Sequence, residues 1–408
     1  MNVTMFKAAL VVSSVVLLSA CSGGGDGGGG GTSSAAAPSI GSFVDSPVQG
    51  LRYNTATQSG VTDANGQFRY RPGESVTFSF GQTVLGTIPG VPQITPWTVF
   101  GLNSPDPADN RWVNLARLLQ TFNNQLPAIT PQIAALPAIN FNQSPAAFGA
   151  DPTVGQVLST AGAPQTLVSA GAATATLTQQ FAILGSWFIQ GESGPNSLGV
   201  FTAMADGTFM VTGDSSLDPT DRNGMEHGTY IWNPATGAFS ATVTVDTNGA
   251  YGLSGTNPPM TATISNNGNT LTFTDGAGPV ALSRVIDTNN TPNPIIGSWL
   301  GKSLDNPNAP VVITFLLDGT IVHVEDNDPA LSPSGQDGME RGIYTFNQGT
   351  GELLVTITLD TNREWGFHST GPLPSSVSPI TVTFTGADTL TALVPGEPLL
   401  TLTRIRTP

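Results

Sequence analysis

The stretch Gly185-Ser186-Trp187 returns as Gly297-Ser298-Trp299, and each copy opens a long cassette that occurs twice in the chain. Further matched positions follow in the same order: Asp206-Gly207-Thr208 with Asp318-Gly319-Thr320, Gly224-Met225-Glu226 with Gly338-Met339-Glu340, Asp246-Thr247-Asn248 with Asp360-Thr361-Asn362, and Arg284-Val285 with Arg404-Ile405. Between them, short alternating runs separated by Gly, Asn and Asp are typical of antiparallel strands joined by hairpins. Roughly eight to nine such strands per copy suit a small up-and-down barrel or a sandwich. The sequence therefore predicts two tandem antiparallel β-barrel-like domains, at residues 181–287 and 293–408.

The composition agrees with a mainly β fold of several domains. A chain of 408 residues is too long for one ordinary core. It has 48 Gly and 32 Pro but only 10% charged residues, which favours short strands and turns over long surface helices. The net charge of -15 argues against nucleic acid as a partner, because phosphate binding needs a basic face. A single cysteine excludes an intramolecular disulfide.

The first 21 residues have the pattern of a targeting segment. Lys7 precedes an apolar run from Ala8 to Leu18, and Leu18-Ser19-Ala20-Cys21 resembles the lipobox of bacterial lipoproteins. The resemblance implies a signal peptide at 1–20 and a membrane anchor of acyl chains on Cys21. In enteric bacteria, an Asp directly after the lipidated Cys favours retention at the inner membrane. This chain has Ser22 at that position, which points to the outer membrane. Residues 21–40 then form a flexible Gly/Ser tether.

Residues 41–90 predict a small β-sandwich. Asn65-Gly66 is a tight-turn dipeptide between two alternating runs, and Val76 to Phe80 alternates with a period of two. Together with Thr62-Asp63-Ala64 and Pro72-Gly73-Glu74, these motifs resemble the carboxypeptidase regulatory-like, transthyretin-like module of bacterial surface proteins. That resemblance implies a structural or adhesive role.

Residues 91–180 predict a short, partly helical segment. The apolar residues from Trp112 to Phe122 fall on one helical stripe, with Asp109 or Asn110 as the N-cap. Weaker helices are expected near Pro131–Leu136 and Thr153–Thr160. Ala161 to Thr178 is either a linker or a loosely packed helix.

The ends of each cassette resemble the lipocalin, or calycin, signature. The opening Gly-x-Trp at Gly185–Trp187 and Gly297–Trp299, and the closing Arg284 and Arg404, carry the resemblance. It implies that each Trp packs at the closed end of a barrel beneath the Arg. It also implies a carrier of small apolar ligands.

One constellation inside the cassette is a candidate site. Every second side chain of a strand lies on the same face. In the first copy, one such face carries Glu226, Gly228, Tyr230 and Trp232, and in the second copy it carries Glu340, Gly342, Tyr344 and Phe346. A carboxylate among aromatic side chains suits the polar anchor of a ligand cavity. Alternatively, Glu226 pairs with Arg284 and Glu340 with Arg404 as structural ion pairs, and we favour this alternative.

Neither a metal site nor a cofactor is predicted. The acids of the loops, Asp214, Asp218, Asp221, Glu325, Asp326, Asp328 and Asp337, lack the spacing of an EF-hand and are expected to be solvated. His227, His323 and His368 share no cassette position and form no HExxH motif.

The sequence thus predicts a membrane-anchored cell-envelope lipoprotein with a non-catalytic binding or adhesion role, its partner a glycan or a protein. A lipocalin-like carrier of a small apolar ligand is the alternative. An envelope hydrolase would require two facing carboxylates. We expect the functional positions where the two copies differ, such as the loops 190–198, 213–223, 302–310 and 326–337.

Overall fold

The computed structural model of the chain describes residues 38–106, 108–127, 135–190, 197–214, 223–249, 252–255, 259–286, 293–302, 309–326, 337–362, 366–368, 371–395 and 398–406. The strands of the N-terminal part are β1 Ser39–Phe43, β2 Arg52–Asn54, β3 Ser59–Val61, β4 Gln67–Tyr70, β5 Ser75–Phe80, β6 Thr83–Pro89 and β7 Gln93–Ile94. The α-helices are Asn110–Thr121, Pro145–Gly149, Pro152–Thr160 and Ala170–Gln180, and short 3-10 helices lie at Thr98–Phe100 and Asn266–Gly268.

The strands of the first cassette are β8 Gly185–Gln190, β9 Leu198–Ala203, β10 Thr208–Asp214, β11 Gly224–Trp232, β12 Ala238–Asp246, β13 Met260–Ser265, β14 Thr270–Asp275 and β15 Gly278–Arg284. Those of the second are β16 Gly297–Lys302, β17 Pro310–Phe315, β18 Thr320–Glu325, β19 Gly338–Asn347, β20 Glu352–Asp360, β21 Ser375–Ser376, β22 Ile380–Phe384, β23 Thr389–Leu393 and β24 Leu400–Arg404.

The N-terminal strands form two small sheets, β4-β1-β7 and β3-β2-β5-β6. Phe68 packs edge to face on Phe78 at 5.1 Å between ring centroids. The turn before β4 is held by Asp63, whose Oδ1 accepts hydrogen bonds from the backbone N–H groups of Asn65 and Gln67. This is the side-chain chemistry by which Asp stabilises turns.

The helices that follow share the core of these sheets. The predicted amphipathic helix is present at Asn110–Thr121 and buries Leu115 and Leu118 in the same cluster as Phe68. Asp109 is its N-cap and accepts a hydrogen bond from the backbone N–H of Arg111. The predicted helix at Thr153–Thr160 is also present, as Pro152–Thr160, and buries Val157. Residues 41–90 therefore share one core with the helices Asn110–Thr121 and Pro152–Thr160.

Two predictions for the helical segment have other outcomes. The Ala-rich stretch from Ala161 to Thr178 contains a defined helix at Ala170–Gln180, capped by Ser169. It packs against barrel 1 through Leu177 and the adjoining Phe181. Most of the helix expected near Pro131–Leu136 falls outside the described residues.

Each cassette forms a closed antiparallel barrel of eight strands, as the sequence predicted. In barrel 1 the order is β10-β11-β12-β13-β14-β15-β8-β9, and β9 pairs with β10 to close the ring. In barrel 2 the order is β19-β18-β17-β16-β24-β23-β22-β20, and the β19–β20 pairing closes the ring. The short strand β21 adds to β20.

Both barrels bend at the same bulge. The strand register shifts between His227 and Gly228 in barrel 1 and between Arg341 and Gly342 in barrel 2. A Cβ atom at Gly228 would lie 2.0 Å from a backbone carbonyl oxygen of the next strand, and one at Gly342 would lie 2.3 Å from its equivalent. The two glycines are therefore required by close backbone approach at a bulge.

The interior of barrel 1 is filled by aromatic side chains. Phe273 packs edge to face on Phe201 at 5.1 Å and on Phe239 at 5.0 Å. Trp187 and Phe209 are fully buried in the same cluster. A cavity of about 30 Å³ lies beside these rings in the described part of the barrel. It has room for roughly one or two water molecules.

The two barrels pack against each other with approximate two-fold symmetry. Strand register makes Val200, Met210 and Met225 of barrel 1 equivalent to Val312, Val322 and Met339 of barrel 2. One apolar cluster joins Leu198, Val200 and Val285 to Leu316, Val322 and Met339, and the other joins Met204, Met210 and Met225 to Val312, Val324 and Ile405. Five of the six residues named in each cluster have their equivalent in the other cluster, which is the property of an approximate two-fold interface.

Two ion pairs across this interface obey the same symmetry. Asp326 of barrel 2 contacts His227 of barrel 1, and Asp214 of barrel 1 contacts Arg341 of barrel 2. The register makes His227 equivalent to Arg341, and Asp214 to Asp326. The expectation that these two acids are solvated was therefore wrong, because barrel docking covers them.

Candidate functional site

Glu226 lies inside barrel 1 on β11 and is fully buried. Its Oε2 accepts a hydrogen bond from the backbone N–H of Leu253 at 2.7 Å, and its Oε1 accepts one from Ser254 at 2.9 Å. Gly252, at φ 93°, brings the backbone so close that a Cβ atom there would lie 2.7 Å from Oε2. The carboxylate therefore holds the segment 252–254 against the barrel.

The environment of Glu226 shifts its titration towards neutral pH. Burial raises the pKa of this carboxyl to about 7, although the two backbone N–H donors act in the opposite direction. The group therefore exchanges a proton in the physiological range.

Glu340 makes the equivalent contacts in barrel 2, where further titratable groups surround it. It accepts hydrogen bonds from the backbone N–H groups of residues 367 and 368 at 2.7 and 2.6 Å. The Nδ1 atom of His323 lies 3.1 Å from its Oε2, and the Nε2 atom lies 3.8 Å from Glu325 Oε2. His368 Nδ1 lies 2.6 Å from Asp360 Oδ2. We call these five residues the histidine–carboxylate cluster.

The cluster is buried and electrostatically coupled. Each of its side chains is at most 7% exposed. Burial alone would lower the pKa of His323, but its contact with Glu340 and the charges of Glu325 and Asp360 together raise it. The ring is thus biased towards its charged form. Within the described residues, no group of three or more His, Cys, Asp or Glu side chains is arranged to hold a metal ion.

The sequence reasoning did not identify this cluster. The strand register aligns His323 with Val211 and Glu325 with Gly213. His323 and Glu325 therefore occur where the two copies differ. That difference was the signal available in the sequence. Glu325 was expected to be a solvated loop acid, but it lies at the end of β18 with its side chain 4% exposed.

The aromatic residues of the predicted constellation serve the fold. The Tyr230 hydroxyl donates to the carbonyl of Met204, and the Tyr344 hydroxyl donates to that of Leu316. Burial raises the pKa of Tyr344 to about 12. Trp232 Nε1 donates to a carbonyl of β13, and Phe346 packs on a ring of β22. These contacts hold neighbouring strands and turns together.

The ion pairs predicted between Glu226 and Arg284 and between Glu340 and Arg404 are wrong. In an eight-stranded ring, β11 and β15 lie on opposite walls, and so do β19 and β24. Arg284 instead donates to the carbonyls of residues 182, 184 and 268. Its guanidinium carbon lies 3.9 Å from the Trp187 ring centroid, and that of Arg404 lies 4.1 Å from Trp299. This Arg-over-Trp contact is the one that the lipocalin resemblance implies.

A cleft lies between the two barrels. This cleft has a volume of about 430 Å³ and is lined by equivalent pairs, Ser186 with Ser298, Arg284 with Arg404 and Val285 with Ile405. Asp388 and Arg406 complete its polar wall. A volume of this size is within the range of small-molecule sites in proteins.

Several predicted positions fall outside the described residues. These are Cys21, Asp218, Asp221, Asp328 and most of the loops 190–198, 213–223, 302–310 and 326–337. Among the described helices, none has the length and apolar character required to cross a membrane.

Comparison with known proteins gives no family assignment. No family model matches the sequence, and no curated protein matches it. Among solved structures, a DNA polymerase sliding clamp from Pseudomonas aeruginosa, crystallised with a ligand, aligns at 10% identity over 57% of this chain and 60% of the clamp. The TM-score is 0.10, so the alignment carries no structural or functional argument.

Proposed function

We propose that this protein is a lipid-anchored lipoprotein of the cell envelope with a non-catalytic binding role. The observation that carries a binding role is the cleft of about 430 Å³ between two barrels that pack through apolar clusters and ion pairs. The lipobox-like Leu18-Ser19-Ala20-Cys21 supports the anchor. Acylation on Cys21 would attach the folded units to the membrane through the Gly/Ser tether.

The interior of barrel 1 favours this reading over a lipocalin-like carrier. A carrier that encloses an apolar ligand needs a cavity of hundreds of Å³. The cavity described beside the packed aromatic rings of barrel 1 has about 30 Å³. The strongly exposed large apolar residues in the described ranges, such as Ile231 and Leu317, are aliphatic. Recognition in a cleft is therefore favoured over an exposed aromatic patch.

The anchor is tested by labelling bacteria that express the full-length chain with an alkyne analogue of palmitate. We expect the label on the wild-type protein in the membrane fraction, and a Cys21→Ser variant without label in the soluble fraction. An unlabelled wild-type protein would refute the anchor. For binding, the purified Cys21→Ser protein is incubated with envelope extract and examined by native mass spectrometry. Spectra containing only the free protein would count against the binding role.

A further inference from the structure

The cleft between the barrels gathers positive charge on a protein that is strongly acidic. Three guanidinium groups, those of Arg284, Arg404 and Arg406, line it, and Asp388 is the carboxylate in its described wall. The chain as a whole has a net charge of -15. The cleft therefore has the opposite charge from the average surface, and its local field favours an anion.

The arginines keep donors available after their internal contacts are counted. A guanidinium has five N–H donors. Arg284 donates three hydrogen bonds to backbone carbonyls, has no carboxylate partner among the described residues and so keeps two N–H groups. Arg404 likewise donates to three carbonyls, with Asp388 at 3.7 Å. Arg406 pairs with Asp388 through Nη2 at 2.5 Å and donates from the same nitrogen to the Pro105 carbonyl, while its buried Nε has no hydrogen-bond acceptor within the described part of the chain.

Arg284 and Arg404 remain charged in the cleft. Burial lowers the pKa of Arg284 and of Arg404 to about 10, so that both are protonated at neutral pH. Arg284 has no carboxylate partner among the described residues, and because a buried cation without a counter-charge is costly, an anion in the cleft would offset that cost.

Part of the lining beside the arginines is apolar. Val285 and Ile405 occupy equivalent positions, and Ile286 and Ile296 extend the apolar wall next to them. A ligand that uses both kinds of wall needs an acidic group and a hydrocarbon body. The volume of about 430 Å³ limits it to a small molecule.

We infer that the cleft between the barrels binds a small organic anion, with its acidic group on Arg284, Arg404 and Arg406 and its apolar body on Val285, Ile286 and Ile405. This inference rests on the proposed binding function and names its ligand class. The site belongs to neither barrel alone, because each barrel supplies one of the two equivalent arginines.

The test measures binding of octanoate, phenyl phosphate and 8-anilinonaphthalene-1-sulfonate to the Cys21→Ser protein by isothermal titration calorimetry. We expect saturable binding of one anion per chain. Octanamide, the neutral analogue of octanoate, should bind about tenfold or more weakly than octanoate. Equal affinities for octanoate and octanamide would overturn the inference. So would the lack of saturable binding by all three anions. Neither result affects the palmitate labelling or the capture of a ligand from envelope extract. The anion specificity of the cleft and the proposed function therefore fail separately.

Variants locate the site. Arg406→Gln leaves both Arg-over-Trp contacts intact, and we expect it to weaken octanoate binding about tenfold. Arg69→Gln removes the same charge from the exposed face of β4 and should leave the affinity unchanged. Asp388→Asn removes the opposing carboxylate and should tighten binding, a gain that misfolding cannot produce. Unchanged affinity in Arg406→Gln, or weaker binding in Asp388→Asn, would overturn the assignment.

Discussion

The pH dependence of stability is a direct test of the site at Glu226. Burial raises the pKa of this carboxyl to about 7, from an ordinary value of 4.5. Between these two values the folded protein keeps a proton that the unfolded chain has released. Stability from this group is therefore complete below pH 4.5 and is lost as the pH rises to about 7. With about 1.4 kcal/mol per tenfold change in proton affinity, the loss amounts to about 3 kcal/mol.

The assay is urea unfolding of the wild type and of Glu226→Gln at intervals from pH 4.5 to 8. The Gln side chain does not titrate, so subtracting the two curves isolates the carboxyl. We expect the free energy of unfolding of the wild type, relative to the variant, to fall by about 3 kcal/mol over this range. Glu352→Gln, which alters an exposed glutamate on β20, controls for loss of a surface carboxylate.

A difference curve that is flat across the range would refute this reasoning. It would mean that the N–H groups of Leu253 and Ser254 hold the carboxylate ionised in spite of its burial. The same flat curve would show that Glu226 does not exchange a proton near neutral pH.

Three further predictions concern the barrels and their interface. Trp299→Ala deletes a fully buried indole and should lower the free energy of unfolding by about 3–5 kcal/mol, while a loss below about 1 kcal/mol in urea would contradict the role of this ring. A double-mutant cycle of Asp214→Ala and Arg341→Ala should give a coupling energy of roughly 0.5–3 kcal/mol, and additive effects would mean that the barrels do not dock as described. Gly342→Ala places a Cβ atom 2.3 Å from a carbonyl oxygen and should destabilise by roughly 2 kcal/mol. The matched Gly155→Ala in an open helix position should stabilise by about 0.5–1 kcal/mol, and equal effects of the two would refute the bulge argument.

Local signals in the sequence were sufficient for the strands and the barrels. The predicted barrels are present, and Asp109, one of the two expected N-caps, caps the amphipathic helix. These features depend on neighbouring residues, whose alternation and capping chemistry the sequence displays directly. The repeat then carried the same interpretation to the second barrel.

The candidate site depended on information that a single sequence does not display. Alternation correctly placed Glu226 and Tyr230 on one buried face. Their partners are decided by the order of strands around the ring, which places Glu226 and Arg284 on opposite walls. The contact of Asp214 with Arg341 joins residues 127 positions apart across two barrels. Its prediction would have required the docking geometry.

The two-fold interface has a further consequence, because both halves belong to one polypeptide. Joining β15 and β16 in one chain keeps the halves at a high effective concentration, on the order of millimolar. A homodimer repeats every residue in both halves, whereas a covalent pair can change one half alone. His323 and His368 occur in one half only, as does Arg406, the residue after Ile405. Covalent fusion thus permits one barrel to carry ionisable groups where its companion has apolar or small residues at the equivalent positions.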